Sequence, residues 1–395
     1  MSSTTPKVQY RQLGKSGLYV SVPIIGAMSF GSPQWEKWVL GEEESMKILQ
    51  AAWEMGINTI DTANLYSNGE SERIIGKWIE QNQIPRERLV IATKCNGLVG
   101  HTPSEKTVFR PQLRTTRDYV NQSGLSRAAI FNAVDASLTR LKVSYVDLLQ
   151  IYRFDPATPV EETMKALDDL VQSGKVRYIG ASSMRTWQFA LMNDVAEKKG
   201  WTKFVSMQNE YSLLYREEER EMNAYCNYHG IGLIPWAPLA GGFLARPLNT
   251  KTARSDSSKG TPLERRLSDA DQVIIRRVEQ VAAKKGVKMA QIAIAWVAAR
   301  TASPIIGVSS VERLAEGMTT GIVLSEEETR FLEKPPIRNE VHRFFSISKR
   351  LTLAKFLGAL LQVSIVKALQ LTEIAQNTVS REQNKDLLRP VLQLE

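Results

Sequence analysis

Short apolar runs alternate with longer amphipathic stretches at a period of about 30 residues, and the alternation repeats eight times. VPIIGA (22–27) reads as the first strand, and EEESMKILQAAWEMG (42–56) as a helix stopped by Gly56. INTID (57–61), LVIATK (89–94), VDLLQIY (146–152), VRYIGASS (176–183), KFVSMQNEY (203–211), IGLIPWAPLAGG (231–242) and PIIGVS (304–309) read as the other strands. Helices are predicted over 70–82, 126–141, 160–174, 185–200 and about 217–228, with Ser126 as an N-cap, and a long helical stretch precedes the last strand. Near-continuous apolar strands separated by helices imply parallel strands buried on both faces. An open doubly wound sheet would carry a GxGxxG turn after its first strand, and none is present. The expected fold class is therefore a (β/α)8 TIM barrel, spanning residues 8–334.

Three segments break the rhythm. Residues 95–125 form a polar insertion after the third strand, on the catalytic side of a barrel. Residues 245–268 form a basic, Ser-rich loop. Residues 336–395 are expected to be an atypical C-terminal extension, with an amphipathic helix over 351–371. That helix has two readings: docking onto the barrel or a second subunit, or lying on a membrane surface.

Composition narrows the function classes. The net charge of +9 is not clustered into a block, so a solvated face is expected rather than a nucleic-acid site. Only Cys95 and Cys226 occur, without a CxxC pair, so neither a disulfide scaffold nor a cysteine zinc site is expected. The polar N-terminus and the lack of an 18-residue apolar run point to a cytosolic protein.

The chemistry concentrates at predicted strand ends. DTANLY (61–66) puts Asp61 and Tyr66 at the end of the second strand, and IATKC puts Lys94 at the end of the third. Hydride transfer to a carbonyl leaves an alkoxide that needs a proton. A tyrosine can give it, but its free pKa is about 10. An adjacent ammonium is expected to lower that value, and a carboxylate to hold the ammonium in place. Asp61, Lys94 and Tyr66 thus read as a relay with Tyr66 as general acid. Taken singly, each has a bland alternative as a loop cap, a surface charge or a rim aromatic. Trp35 and Trp38, after the first strand, either wall a substrate pocket or cover the barrel rim.

Over about residues 8–334 the chain resembles the aldo-keto reductases, in the spelling of their fungal secondary-metabolite branch. The matching pieces are MSFG (28–31), DTANLY, ATK, LLQIYRFD (148–155), GASS (180–183), MQNEYSLL (207–214), PWAPLAGG (235–242) and IIGVSSVERLAEG (305–317). The resemblance implies an NADPH-dependent enzyme that reduces a small aldehyde or ketone to an alcohol. It implies Tyr66 as proton donor with Asp61 and Lys94 as partners, and no metal. Ser182, Ser183 and Gln208 would hold the nicotinamide carboxamide, and Trp236 would stack on the ring. Ala237, Pro238, Leu239 and Gly241 belong to the loop along the pyrophosphate. Ser309 and Arg313 would lie by the adenosine 2′-phosphate, where an arginine can pair bidentately. Three positions depart from the family: Ser183 and Gly317 stand where it usually has asparagines, and the third bears on catalysis. QIHRFD is the usual spelling, and here Tyr152 replaces the catalytic histidine. Three consequences stay open: Tyr152 substitutes as donor to the carbonyl, the reaction is redirected to a double bond, or turnover is weak and the protein serves as an accessory subunit.

Overall fold

The computed structural model describes residues 8–248, 250 and 266–334. The extension from 336, with its amphipathic helix, and most of the 245–268 loop lie outside the described residues.

Eight strands form one parallel sheet: β3 (Ile24–Gly26), β4 (Thr59–Asp61), β5 (Val90–Cys95), β6 (Val146–Ile151), β7 (Val176–Ser182), β8 (Ser206–Gln208), β9 (Gly232–Leu233) and β10 (Ile305–Gly307). They pair in chain order, and β10 pairs with β3. Beyond β9, Ile305 N–H donates to Pro235 O at 2.9 Å and Ala302 N–H to Leu233 O at 2.9 Å. These bonds close the ring, so the barrel expected from the eightfold period is the fold observed. Around it run α1 (Glu42–Glu54), α2 (Glu70–Gln81), α3 (Arg127–Leu141), α4 (Val160–Gln172), α5 (Thr186–Lys199) and α6 (Met222–His229). The long helical stretch is α7 (Asp269–Lys285) plus α8 (Met289–Ala298), and α9 (Val311–Glu316) and α10 (Glu326–Glu333) follow β10. Ser126 caps α3 as expected, accepting from Ala129 N–H.

Three details differ from the sequence expectation. The run 231–242 is a two-residue strand that continues only as an isolated Glu210–Trp236 bridge. Pro235 and Pro238 lack the N–H that a ladder needs, and Ala237 turns left-handed at φ 55°. The expected helix over 217–228 breaks at Glu221 into a 3-10 turn and α6. Its glutamates are drawn to separate partners: Glu217 to Arg220, Glu218 to Asn209, Glu219 to Arg216 and Tyr211. Finally, an antiparallel hairpin, β1 (Gln9–Gln12) and β2 (Tyr19–Val22), precedes the barrel. Leu13 from its turn is fully buried among Val20, Ile24, Val90, Leu148, Ile234 and Ile305. The hairpin therefore plugs the floor of the barrel, opposite the catalytic end.

The outer layer packs tightly on this ring. Gly76 on α2 faces the end of α3, where an added Cβ would sit 2.4 Å from the Arg140 carbonyl oxygen. Backbone atoms there cannot yield without moving a helix. Gly76→Ala is expected to cost about 2 kcal/mol, read as a lower urea midpoint; an unchanged midpoint would show that the helices slide apart freely.

Candidate active site

Parallel register brings the side chains singled out by the sequence together. Lys94 on β5 is paired with Gln150 on β6, and Ser182 on β7 with Gln208 on β8. Asp61 ends β4, and Tyr66 opens the 3-10 turn that follows it. The Lys94 ammonium donates to Asp61 Oδ2 at 2.6 Å, to the Thr62 carbonyl at 2.9 Å and to Tyr66 OH at 3.3 Å. Those three bonds use its three protons. Asp61 Oδ1 accepts from Gln150 Nε2 at 3.0 Å and Gln208 Nε2 at 2.8 Å. All five side chains are buried. The bland readings of Asp61, Lys94 and Tyr66 as cap, surface charge and rim aromatic do not survive this geometry.

One electrostatic expectation is corrected. The Tyr66 phenol is held well above its ordinary value, first by burial, then by Tyr152 and Asp61, with Arg153 pulling the other way. Its neighbour Lys94 is pulled down, chiefly by burial, against Asp61. The ammonium does not produce a lowered phenol because Asp61 cancels its charge at 2.6 Å and desolvation dominates. Burial and its neighbours therefore hold Tyr66 as the neutral phenol.

Tyr152 follows β6, and its ring meets the Tyr66 ring edge-on, centroids 6.4 Å apart. Both pack against Trp35, Trp38, Met28 and Leu65. Trp35 is buried within this cluster, so the two tryptophans wall the space over the tyrosines rather than only covering the rim. The 95–125 insertion forms two 3-10 turns, Thr107–Phe109 and Pro111–Thr115, and its Lys106 pairs with Glu36 of the tryptophan loop at 2.8 Å. Asn68 fastens it, donating to the Thr102 and Glu105 carbonyls and accepting from Gly100 N–H.

A second group lines the ends of β7 to β9. Ser182 Oγ lies 3.2 Å from Ser183 Oγ, which accepts from Trp236 Nε1 at 3.2 Å. Asn209 Oδ1 accepts from Ser183 N–H at 2.7 Å, and Asn209 Nδ2 donates to Glu218 at 2.6 Å. Left-handed non-glycine residues crowd this end of the barrel: Ser67, Asn68, Asn96, Ser183, Ala237 and Ala240. Such conformations cost energy and persist where a site over-determines them. Gly241 and Gly242 continue the run at φ 73° and 100°, with open space where a Cβ would stand. That leaves room for a ligand to approach the backbone. Further along, Arg313 donates to Ser309 at 3.1 Å. Arg246 is depressed by burial first and then by the charge of Arg313. Glu316 opposes that effect, and two guanidiniums whose charges sense each other suit an anion. The donor set, the open glycine loop and the paired arginines fit a phosphorylated dinucleotide.

Comparison with known proteins decides the family: the Aldo/keto reductase family model matches residues 24–334. The chain belongs to the aldo/keto reductase family. An aldo-keto reductase of Alternaria alternata is 54% identical over 331 residues, covering 82% of this chain and 90% of its own. Versiconal hemiacetal acetate reductase of Aspergillus parasiticus is 47% identical, covering 85% and 99%. A putative aryl-alcohol dehydrogenase of Schizosaccharomyces pombe is 46% identical, covering 86% and 100%. The chain is thus an oxidoreductase by family.

Among aldo/keto reductase residues of this chain, Gln150, Arg153, Asn209, Glu218 and Arg246 belong to the site but escaped the sequence reading. Gln150 sits in LLQIY directly before Tyr152, which was a usable signal; Glu218 lies in a run of glutamates that looks like a solvated face. Burial raises Glu218 to about 7, aided by Glu210 and Glu217 and opposed by Asn209. A carboxyl raised on folding stabilises fully below its unfolded value, and that contribution is lost as pH climbs through about 7. Between pH 5 and 8, Glu218→Gln should lose roughly 2–3 kcal/mol less stability than the parent, in urea unfolding at both pH values. Parallel curves for the two proteins would refute this.

Proposed function

We propose that this aldo/keto reductase uses NADPH to reduce a small aldehyde or ketone to an alcohol in fungal-type secondary metabolism. The Lys94 ammonium joined to both Asp61 and Tyr66 carries the reading. Reduced nicotinamide, when bound, supplies the hydride. Ser182, Ser183 and Gln208 are suited to hold its carboxamide, and Trp236 to cover its ring. The left-handed Ser183, pinned by Asn209, keeps those hydroxyls in place. Ala237, Pro238, Leu239 and Gly241 border the pyrophosphate path. Tyr66 gives its proton to the carbonyl oxygen, and the phenolate left behind lies 3.3 Å from the Lys94 ammonium. Tyr152 is placed to donate a second hydrogen bond to the same oxygen, in the role a histidine fills in relatives. A phenol remains a neutral donor across neutral pH, where an imidazole titrates. The raised pKa of Tyr66 keeps it protonated near neutral pH, the form that carbonyl reduction requires.

Tryptophan fluorescence with NADPH and NADH, then turnover on a carbonyl panel, tests this reading. Arg313→Leu is expected to weaken NADPH roughly 10- to 100-fold, as for loss of one charge-assisted pair, with NADH nearly unaffected. Equal weakening of both cofactors would remove the 2′-phosphate role from Arg313.

A further inference from the structure

One guanidinium at the barrel mouth has no counter-ion among the described residues. Arg153 follows Tyr152, and its Cζ lies 4.8 Å from the centre of the Tyr152 ring. It is partly buried, and Nη1 donates to the Tyr152 carbonyl at 2.9 Å. No carboxylate among the described residues reaches it. Asp155, two residues on, is already engaged by Leu125 N–H, Ala157 N–H and the Thr158 hydroxyl. A guanidinium has five N–H donors in a fixed fork, and the described residues engage one edge of this one.

The charge also acts on the reacting end of the site. Its guanidinium lies over the Tyr152 ring, which meets the Tyr66 ring edge-on, and its charge is felt at both Tyr66 and Lys94, which it lowers. Lys94 is already cancelled by Asp61, which leaves Arg153 as the unbalanced positive charge beside the tyrosines. The Tyr152 ring under it packs into an apolar cluster with Trp35, Trp38, Met28 and Leu65. A half-desolvated cation beside an apolar wall selects a ligand with one anionic end and one greasy end.

We propose that Arg153 receives a carboxylate on the substrate, so that the preferred substrates are oxo acids with an apolar chain and the carboxylate within a few bonds of the carbonyl. Planar fork meets planar carboxylate, which also fixes the face of the carbonyl shown to the cofactor. The proposal rests on the reading of Tyr66 as proton donor to a carbonyl.

The test compares 2-oxo-4-phenylbutanoate with its methyl ester, which keeps the reactive carbonyl and removes the charge. The full-length protein and the variants Arg153→Met and Arg153→Lys are assayed with NADPH, and cofactor binding by fluorescence checks the fold. In the parent the acid is favoured over the ester by about 30-fold or more in kcat/KM, the worth of one charged pair. In Arg153→Met that preference falls to about one, and Arg153→Lys keeps part of it. Equal losses on acid and ester would overturn the proposal, placing Arg153 in the electrostatics of Tyr66 instead. Reduction of the ester with rejection of the acid by the parent overturns the proposal alone. NADPH binding with neither compound reduced overturns the proposal alone when other members of the carbonyl panel are turned over, and also the reading of Tyr66 as proton donor to a carbonyl when none is.

Discussion

Tyr66→Phe is expected to lower kcat for carbonyl reduction by about a thousand-fold, within the usual range for losing a positioned general acid. The substitution removes one oxygen. The ring stays in its apolar cluster with Trp35, Val39, Ala63 and Leu65, so folding is retained. NADPH affinity should stay within about two-fold, because no cofactor donor is touched. Steady-state kinetics and a fluorescence titration on one preparation read both quantities. A second phenol, Tyr152, lies beside the first. Undiminished turnover would therefore transfer the proton to Tyr152 and sink the assignment of Tyr66.

Lys94→Met is expected to hurt twice. Asp61 keeps the amides of Gln150 and Gln208 but loses its only ion-pair partner among the described residues, 1% exposed at the lysine and 4% at the carboxylate. A buried carboxylate stripped of its cation costs about 3–5 kcal/mol, which urea unfolding reads directly. Turnover should also collapse, since no ammonium remains to receive the phenolate. The double variant Lys94→Met/Asp61→Asn separates the two effects. It should recover most of the stability, because the orphaned charge is gone, and none of the turnover. Recovery of turnover in the double variant would mean that the lysine serves folding alone.

The barrel was legible because its signal is repetition. Each βα unit buries an apolar strand, and eight such units with no phosphate-binding glycine fingerprint leave one closed architecture. Tyr66, Asp61 and Lys94 were legible because each ends or follows a strand. The hairpin that carries Leu13 was not read, since YRQLGKSGLYVSV is short and its turn glycines resemble any loop. Depth was not legible either. The sequence shows a lysine near a tyrosine and so suggests a lowered phenol; burial first, with Tyr152 and Asp61, reverses the sign. Asn209 and Glu218 were hidden for a related reason, because their partnership crosses nine residues and depends on how the chain folds back after β8.

Asn68 gives the insertion an unexpected reach. Its side chain grips residues 100, 102 and 105, while its backbone belongs to the same short turn as Tyr66. The insertion and the proposed proton donor are thus one mechanical piece. Exchanging residues 95–125 with the equivalent stretch of a relative would alter more than which molecules fit. A replacement that offers no carbonyls to Asn68 would release the left-handed turn and shift the acid it carries. Transplanted specificity would then arrive with impaired chemistry, unless the turn from Tyr66 to Gly69 travels with the loop.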